Sequence, residues 1–222
     1  MDIDLYYEEA GSGQPLILLH GNGEDHSYFA GQFDFFAGSF HAFAIDTRGH
    51  GSSPRGTAPF TLDQFADDLI DFMDVHGIAR AHVLGFSDGA NIAMLCALKN
   101  PERFLSLVLN GGNLFPEGLT DQVNAEITDE YKQALAAENE QQLELLRLMI
   151  DEPHIDPAEL AALDMPVLVI AGTDDMIREE HTRLIAESIP RARLCFIEGS
   201  HFVAAENPNE FNRAVVDFFM AS

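Results

Sequence analysis

The run Ala81-His82-Val83-Leu84-Gly85-Phe86-Ser87-Asp88-Gly89-Ala90 constrains this chain more than any other stretch. Residues 81–86 form a short apolar block rather than an alternating one, the pattern of a strand covered on both faces. Small and apolar residues then recur at helical spacing through residues 90–98, and Asn100-Pro101 stops that helix. Between the two lies Gly85-Phe86-Ser87-Asp88-Gly89, which fits G-x-S-x-G. So sharp a turn needs glycine on both sides of the serine, because a Cβ at either would collide with the neighbouring strand or helix. The turn exposes the Ser87 hydroxyl above the sheet. It also points the helix N-terminus at the site, where partial positive charge favours a developing oxyanion. Alone, the five residues fit a serine in an ordinary strand-to-helix turn equally well; the flanking strand and helix favour the sharper reading.

Strand and helix patterns alternate along the rest of the chain. Apolar strands are expected over 3–8, 15–20, 41–46, 104–110, 165–171 and 193–197. Helices are expected over 25–37, 61–76, 179–189 and 209–220. The second of these is capped by Thr61, presents Leu62, Phe65, Leu69, Phe72 and Met73 on one face, and ends at Gly77. The alternation breaks in an acidic insert over 111–163, which reads as two helices near 121–137 and 140–151. The expected class is α/β: a mostly parallel central sheet with helices on both faces, in one domain over 1–222.

Composition narrows the function. With 37 acidic against 12 basic residues the formal charge is −25, so there is no basic surface to replace phosphate counterions, and nucleic acid is not an expected partner. Long-range repulsion disfavours anionic substrates over neutral or cationic ones. No apolar segment is long enough to span a bilayer, and the acidic start Met1-Asp2-Ile3-Asp4 lacks the features of a signal peptide. A cytoplasmic location without a membrane partner is therefore expected. Cys96 and Cys195 fall inside a helix and a strand and read as buried free thiols.

A serine hydroxyl needs a base, and nine histidines are available. Ligands of a parallel α/β sheet bind beyond the carboxyl ends of the strands. His201, just past a strand end in Glu198-Gly199-Ser200-His201-Phe202, fits that place. His20 and His50 read as loop-organising residues, and His26, His41, His76, His82, His154 and His181 as surface or capping residues. The acid that orients the base comes from Asp46, Asp174 or Asp175. The last two follow an apolar strand and give the chain order Ser, Asp, His.

These stretches together resemble the α/β-hydrolase superfamily, specifically its small lidded serine hydrolases. The resemblance is carried, in order, by His20-Gly21-Asn22-Gly23, Asp46-Thr47-Arg48-Gly49-His50-Gly51-Ser52-Ser53, Gly85-Phe86-Ser87-Asp88-Gly89, Gly172-Thr173-Asp174-Asp175 and Gly199-Ser200-His201-Phe202. It covers the chain apart from the insert. It implies Ser87 as nucleophile, His201 as base and Asp175, rather than Asp174, as the acid. It also implies an oxyanion hole from the backbone N–H groups of Asn22 and Asp88, structural roles for His20 and Asp46, and no metal or cofactor. Phe86, Asn113, Phe115, Met176 and Phe202 lie near strand ends and are the expected substrate-binding residues.

The chain departs from the family pattern in two ways. The sheet is expected to lack the first outer strand, and the lid, residues 112–163, is short. A short lid leaves a more open pocket unless a second copy covers it as a homodimer. The leading expectation is hydrolysis of small to medium carboxylic esters through an acyl-enzyme. The phrase Gly-Phe-Ser-Asp-Gly-Ala-Asn is similar to valacyclovir-hydrolase-like enzymes, which cleave amino-acid esters, and it makes Asp88 a candidate for an ammonium partner. The alternatives are an aminopeptidase, a carbon–carbon bond hydrolase, and a non-catalytic ligand-binding protein on the same scaffold.

Overall fold

The structure is a computed structural model and describes residues 2–221. Its elements run β1 (Tyr7–Gly11), β2 (Pro15–Leu19), α1 (Ala30–Ala37), β3 (His41–Ile45), α2 (Leu62–Val75), β4 (Ala81–Phe86), α3 (Asp88–Lys99) and β5 (Phe104–Asn110). There follow α4 (Asp121–Ala136), α5 (Glu140–Asp151), β6 (Val167–Asp174), α6 (Glu179–Ser188), β7 (Ala192–Ser200), α7 (Val203–Glu206) and α8 (Pro208–Phe219). The seven strands form one sheet in the order β1-β3-β2-β4-β5-β6-β7. Every neighbouring pair is parallel except β1 with β3. β1 is itself the sheet edge, so among the described residues no strand lies outside it, in keeping with the expected missing outer strand.

The pleat divides the core. Ile17 and Leu19 face one layer, with Phe65, Leu69 and Phe72 of α2 and Ile92 and Met94 of α3. Leu16 and Leu18, one residue out of phase, face the other, with Phe36 of α1 and Phe211, Val215 and Phe218 of α8. A third, smaller cluster joins Ile127, Leu143 and Leu146 of the insert to Leu119 and Ile177. The helix starts follow side-chain chemistry. Thr61, Thr120 and Asn139 each accept a hydrogen bond from a first-turn N–H, capping α2, α4 and α5. The loop after β3 is pinned from inside: the fully buried Arg48 guanidinium makes two 2.7 Å bonds to Asp68 of α2.

Several expectations are corrected. The first strand lies at Tyr7–Gly11, not 3–8. Ile3 and Leu5 are buried, which explains their alternation, but pairing is set by β3, opposite Tyr7↔Ile45 to Gly11↔His41. The helix expected over 25–37 divides into a 3₁₀ turn, His26–Phe29, and α1. The short helix α7 follows β7 with no periodic signal to announce it. His82 and His181 are buried, not surface residues. His82 sits 2.7 Å from Ser106 Oγ, and His181 Nε2 accepts the Leu114 N–H at 2.9 Å. Cys96 is a buried free thiol as expected, but Cys195 is only half-buried. No helix among the described residues is long and apolar enough to cross a membrane.

Candidate active site

The turn between β4 and α3 holds Ser87 at φ 53, ψ −119, one of two non-glycine residues with positive φ among the described residues. The flanking glycines explain how this is tolerated. A Cβ on Gly85 would overlap the Gly89 carbonyl, and a Cβ on Gly89 would overlap the Leu19 carbonyl of β2. The backbone locks the turn from both sides: Ser87 N–H donates to Asn110 O at 2.8 Å, and Ser87 O accepts from Ala90 N–H at 2.9 Å. Asp88 is the first residue of α3, where a helix N–H has no intrahelical acceptor.

The turns after β6 and β7 meet beside this elbow. His201 Nδ1 lies 2.6 Å from Asp175 Oδ1, and both side chains are almost wholly buried. The Asp175 carboxylate also accepts the N–H groups of Ile177 at 3.0 Å and Gly172 at 3.2 Å. A carboxylate accepts hydrogen bonds, so this contact is made by a proton on Nδ1. His201 Nε2 is buried without a hydrogen-bond partner, so it is not bonded to the Ser87 hydroxyl in this conformation. Such contacts commonly tighten only when substrate is bound. Asp174, the alternative acid, is exposed and pairs with Ser200 across the sheet.

On the other side of Ser87 lies the loop after β2. His20 Nδ1 donates to Gly21 O at 2.7 Å, and His20 Nε2 accepts the Thr47 N–H at 3.0 Å. Burial lowers its pKa to about 4, which keeps this bridging ring neutral. Asp46 is equally occupied, accepting the N–H groups of His26 and Ser52 at 2.7 Å each. Both therefore organise loops. Asn22 Nδ2 donates to Asp88 Oδ2 at 2.9 Å and to Leu145 O, on α5, at 3.0 Å. Asp88 also accepts from Asn91 Nδ2 at 3.4 Å, and Asn91 is tied to Asn113 by two 2.9 Å bonds. Burial pushes the Asp88 carboxyl above its ordinary range, against the pull of its two amide partners.

The cleft at Ser87 is lined by Asp88, Asn113, Leu119, Met149, Glu152, Met176 and Ile177, and its free volume is about 10 Å³, close to that of one water molecule. Of the five expected pocket residues, Asn113 and Met176 are here. Phe86 is buried behind His201, its ring 4.8 Å from the imidazole. Phe115 turns onto His181, at 4.6 Å, and the core. Phe202 is 46% exposed on the outer side of His201. None of the three is in the lining of this cleft. Leu119, Met149, Glu152 and Ile177 were not expected. The three-residue spacing of Met149 and Glu152, at one end of α5, is the signal that could have shown two of them on one face.

An α/β-hydrolase-fold family profile matches residues 14–148 of the chain. The chain belongs to the α/β-hydrolase fold family. Relatives extend the likeness over its length. "Putative carbamate hydrolase RutD" of Azorhizobium caulinodans is 29% identical over 252 residues, spanning 98% of this chain and 95% of the relative. "3-oxoadipate enol-lactonase 2" of Acinetobacter baylyi is 26% identical over 247 residues, spanning 96% and 92%. Among solved structures, Est816, described as an N-acyl homoserine lactone degrading enzyme, superposes with a TM-score of 0.82 at 25% identity and covers 97% of each chain. The family is one of hydrolases, and the seven-stranded, mostly parallel sheet of this chain is consistent with its fold.

Proposed function

We propose that this chain is a serine hydrolase that cleaves small to medium carboxylic esters through an acyl-enzyme. The observation that carries the reading is the pairing at His201: its Nδ1 lies 2.6 Å from Asp175 Oδ1, and its ring packs 4.8 Å from that of Phe86, the residue before Ser87. That arrangement supports a sequence of two transfers. Nε2 takes the Ser87 proton as Oγ bonds to the substrate carbonyl carbon. The backbone N–H groups of Asn22 and Asp88 receive the oxyanion, and Asp175 stabilises the imidazolium. The imidazolium then protonates the leaving alcohol as the ester C–O bond breaks. Water, deprotonated by Nε2, attacks the acyl carbon, the acid leaves and Ser87 regains its proton.

The two helices of the insert act as the lid. α5 covers the cleft through Met149 and Glu152, and with about 10 Å³ free beneath it, a substrate enters only when α5 moves. Asp88 and Glu152 are the acidic residues of the cleft lining, which favours neutral or cationic acyl groups over anionic ones. The names of the relatives, a carbamate hydrolase and an enol-lactonase, fit the same attack on an activated carbonyl. An amino-acid ester is the second reading, favoured by Asp88 in the lining.

The test is hydrolysis of p-nitrophenyl esters from acetate to octanoate, with amino-acid esters beside them, by wild type, Ser87→Ala and Asp88→Asn. Turnover that falls at least 10³-fold in Ser87→Ala is expected. Turnover equal in both overturns the reading. For Asp88→Asn, a KM raised only for the amino-acid esters supports the amine site, and an equal effect on neutral esters removes it.

A further inference from the structure

The loop that carries Asn22 is braced by a carboxylate outside the motifs described so far. Glu24 Oε2 accepts the Gly21 N–H at 3.1 Å, and the Glu24 N–H returns to Gly21 O at 3.3 Å. A Cβ built on Gly21 would lie 3.0 Å from the Phe86 ring and 3.1 Å from Glu24 Oε2. The carboxylate is thus lodged against the Gly21 Cα, beside Phe86. Phe86 stacks on Tyr28 at 4.2 Å and 7°, and its ring centre is 4.8 Å from that of His201. Phe86, the residue before Ser87, thus carries Tyr28 and His201 against its ring and shares the surface of Gly21 with the Glu24 carboxylate.

We propose that Glu24 is a positioning residue of this site: its carboxylate fixes the Gly21–Asn22 peptide for the oxyanion and sets a second negative charge, beyond Asp175, in the field of the His201 imidazolium. This rests on the serine-hydrolase reading above. The groups facing Glu24 are His201 after β7, which favours its anion, Asp25 beside it, which opposes it, and the Tyr28 phenol on the next turn. Tyr28 also lies in the fields of Asp175 and Glu206, and these with burial keep its buried hydroxyl protonated. Burial raises the Glu24 carboxyl to about 7, so the charge is present in full only above neutral pH.

The signs give a signature that a bracing role alone lacks. Glu24 is protonated in the fold where an unfolded glutamate is ionised, so its contribution to stability is complete below pH 4.5 and is lost as pH rises through about 7. Glu24→Gln keeps an oxygen for the Gly21 N–H and has no charge at any pH. The wild-type advantage in kcat on p-nitrophenyl acetate is expected to grow from near one at pH 6 to about tenfold at pH 8, with KM within about twofold. Over the same range the melting temperature of Glu24→Gln rises relative to wild type. Glu24→Ala, which also loses the acceptor, is expected to lose kcat at both pH values, with Glu24→Gln restoring the activity at pH 6. The proposal is overturned if Glu24→Gln follows wild type in kcat across the range while Ser87→Ala is inactive. It is equally overturned if Glu24→Gln loses activity and stability by the same factor at every pH. Turnover persisting in Ser87→Ala sinks the serine reading itself, and that control separates the two failures.

Discussion

At the scale of single residues the site stands on one strained position. Ser87 occupies a conformation that glycine adopts freely and serine does not, and the surrounding bonds hold it there. Such strain costs of order 1–3 kcal/mol. Ser87→Gly is therefore expected to be more stable than Ser87→Ala, by about 1 kcal/mol in urea unfolding, because only glycine relieves the backbone. Equal stabilities would mean that the turn is not strained. The same backbone logic made this residue legible: the turn demands glycines at 85 and 89, and the sequence supplies them around a serine. Asp175 and His201 were legible as residues just past strand ends, though only the family likeness separated Asp175 from Asp174. The aromatic residues were not. A phenylalanine near a strand end satisfies the same pattern whether or not it lines the cleft, and Phe86, Phe115 and Phe202 are not in its lining. Glu24 left no mark either, because its significance is its burial against Gly21, which depends on Phe86 and Tyr28 from other elements.

At the scale of elements, the insert is the part that the proposed mechanism makes responsible for access. α5 and its C-cap are held at three points: Arg55 to Glu144 at 2.6 Å, Asn22 Nδ2 to Leu145 O at 3.0 Å, and Leu62 N–H to Oε2 of the C-cap Glu152 at 2.7 Å. The first is a partly exposed ion pair, contributing roughly 0.2–1 kcal/mol. Arg55→Ala is thus expected to leave global stability almost unchanged while speeding amide exchange within Glu140–Asp151 severalfold, as read by hydrogen exchange. Unchanged exchange there would show that this pair does not hold the lid. The helices of the insert were legible because their capping residues and periodicity are local. The contacts that close them over Ser87 join residues 89 to 123 positions apart in the chain, and no periodicity encodes such pairs. The edge strand was misplaced for a related reason. Burial of Ile3 and Leu5 mimics a strand, but the ladder to β3 starts at Tyr7.

For the whole molecule, buried imidazoles set the acid limit. His20 and His82 are both lowered to about 4, chiefly by burial. The fold therefore favours their neutral forms. Their contribution to stability is complete above pH 6.5 and is lost as pH falls through about 4. The raised carboxyls of Glu24, Asp88 and Glu152 and the raised His26 act in the opposite sense, while the imidazoles of His50 and His181, lowered by burial, act with His20 and His82. The free energy of unfolding is expected to fall between pH 6.5 and 4, and His82→Gln to flatten that slope. An unchanged slope in His82→Gln would contradict the burial of this ring. The alternation of strands and helices made the overall architecture legible, because a parallel sheet needs a crossover after each strand. Which histidines the closed fold buries was not legible, because it is a property of the packed whole.

The central claim, that Ser87 is a nucleophile driven by His201, is tested most directly by a fluorophosphonate probe with the adduct located by peptide mass spectrometry. The account predicts a single adduct on Ser87, absent in Ser87→Ala and formed at least about 100-fold more slowly in His201→Ala. An unlabelled Ser87 in folded protein, or equal labelling rates with and without His201, would contradict it.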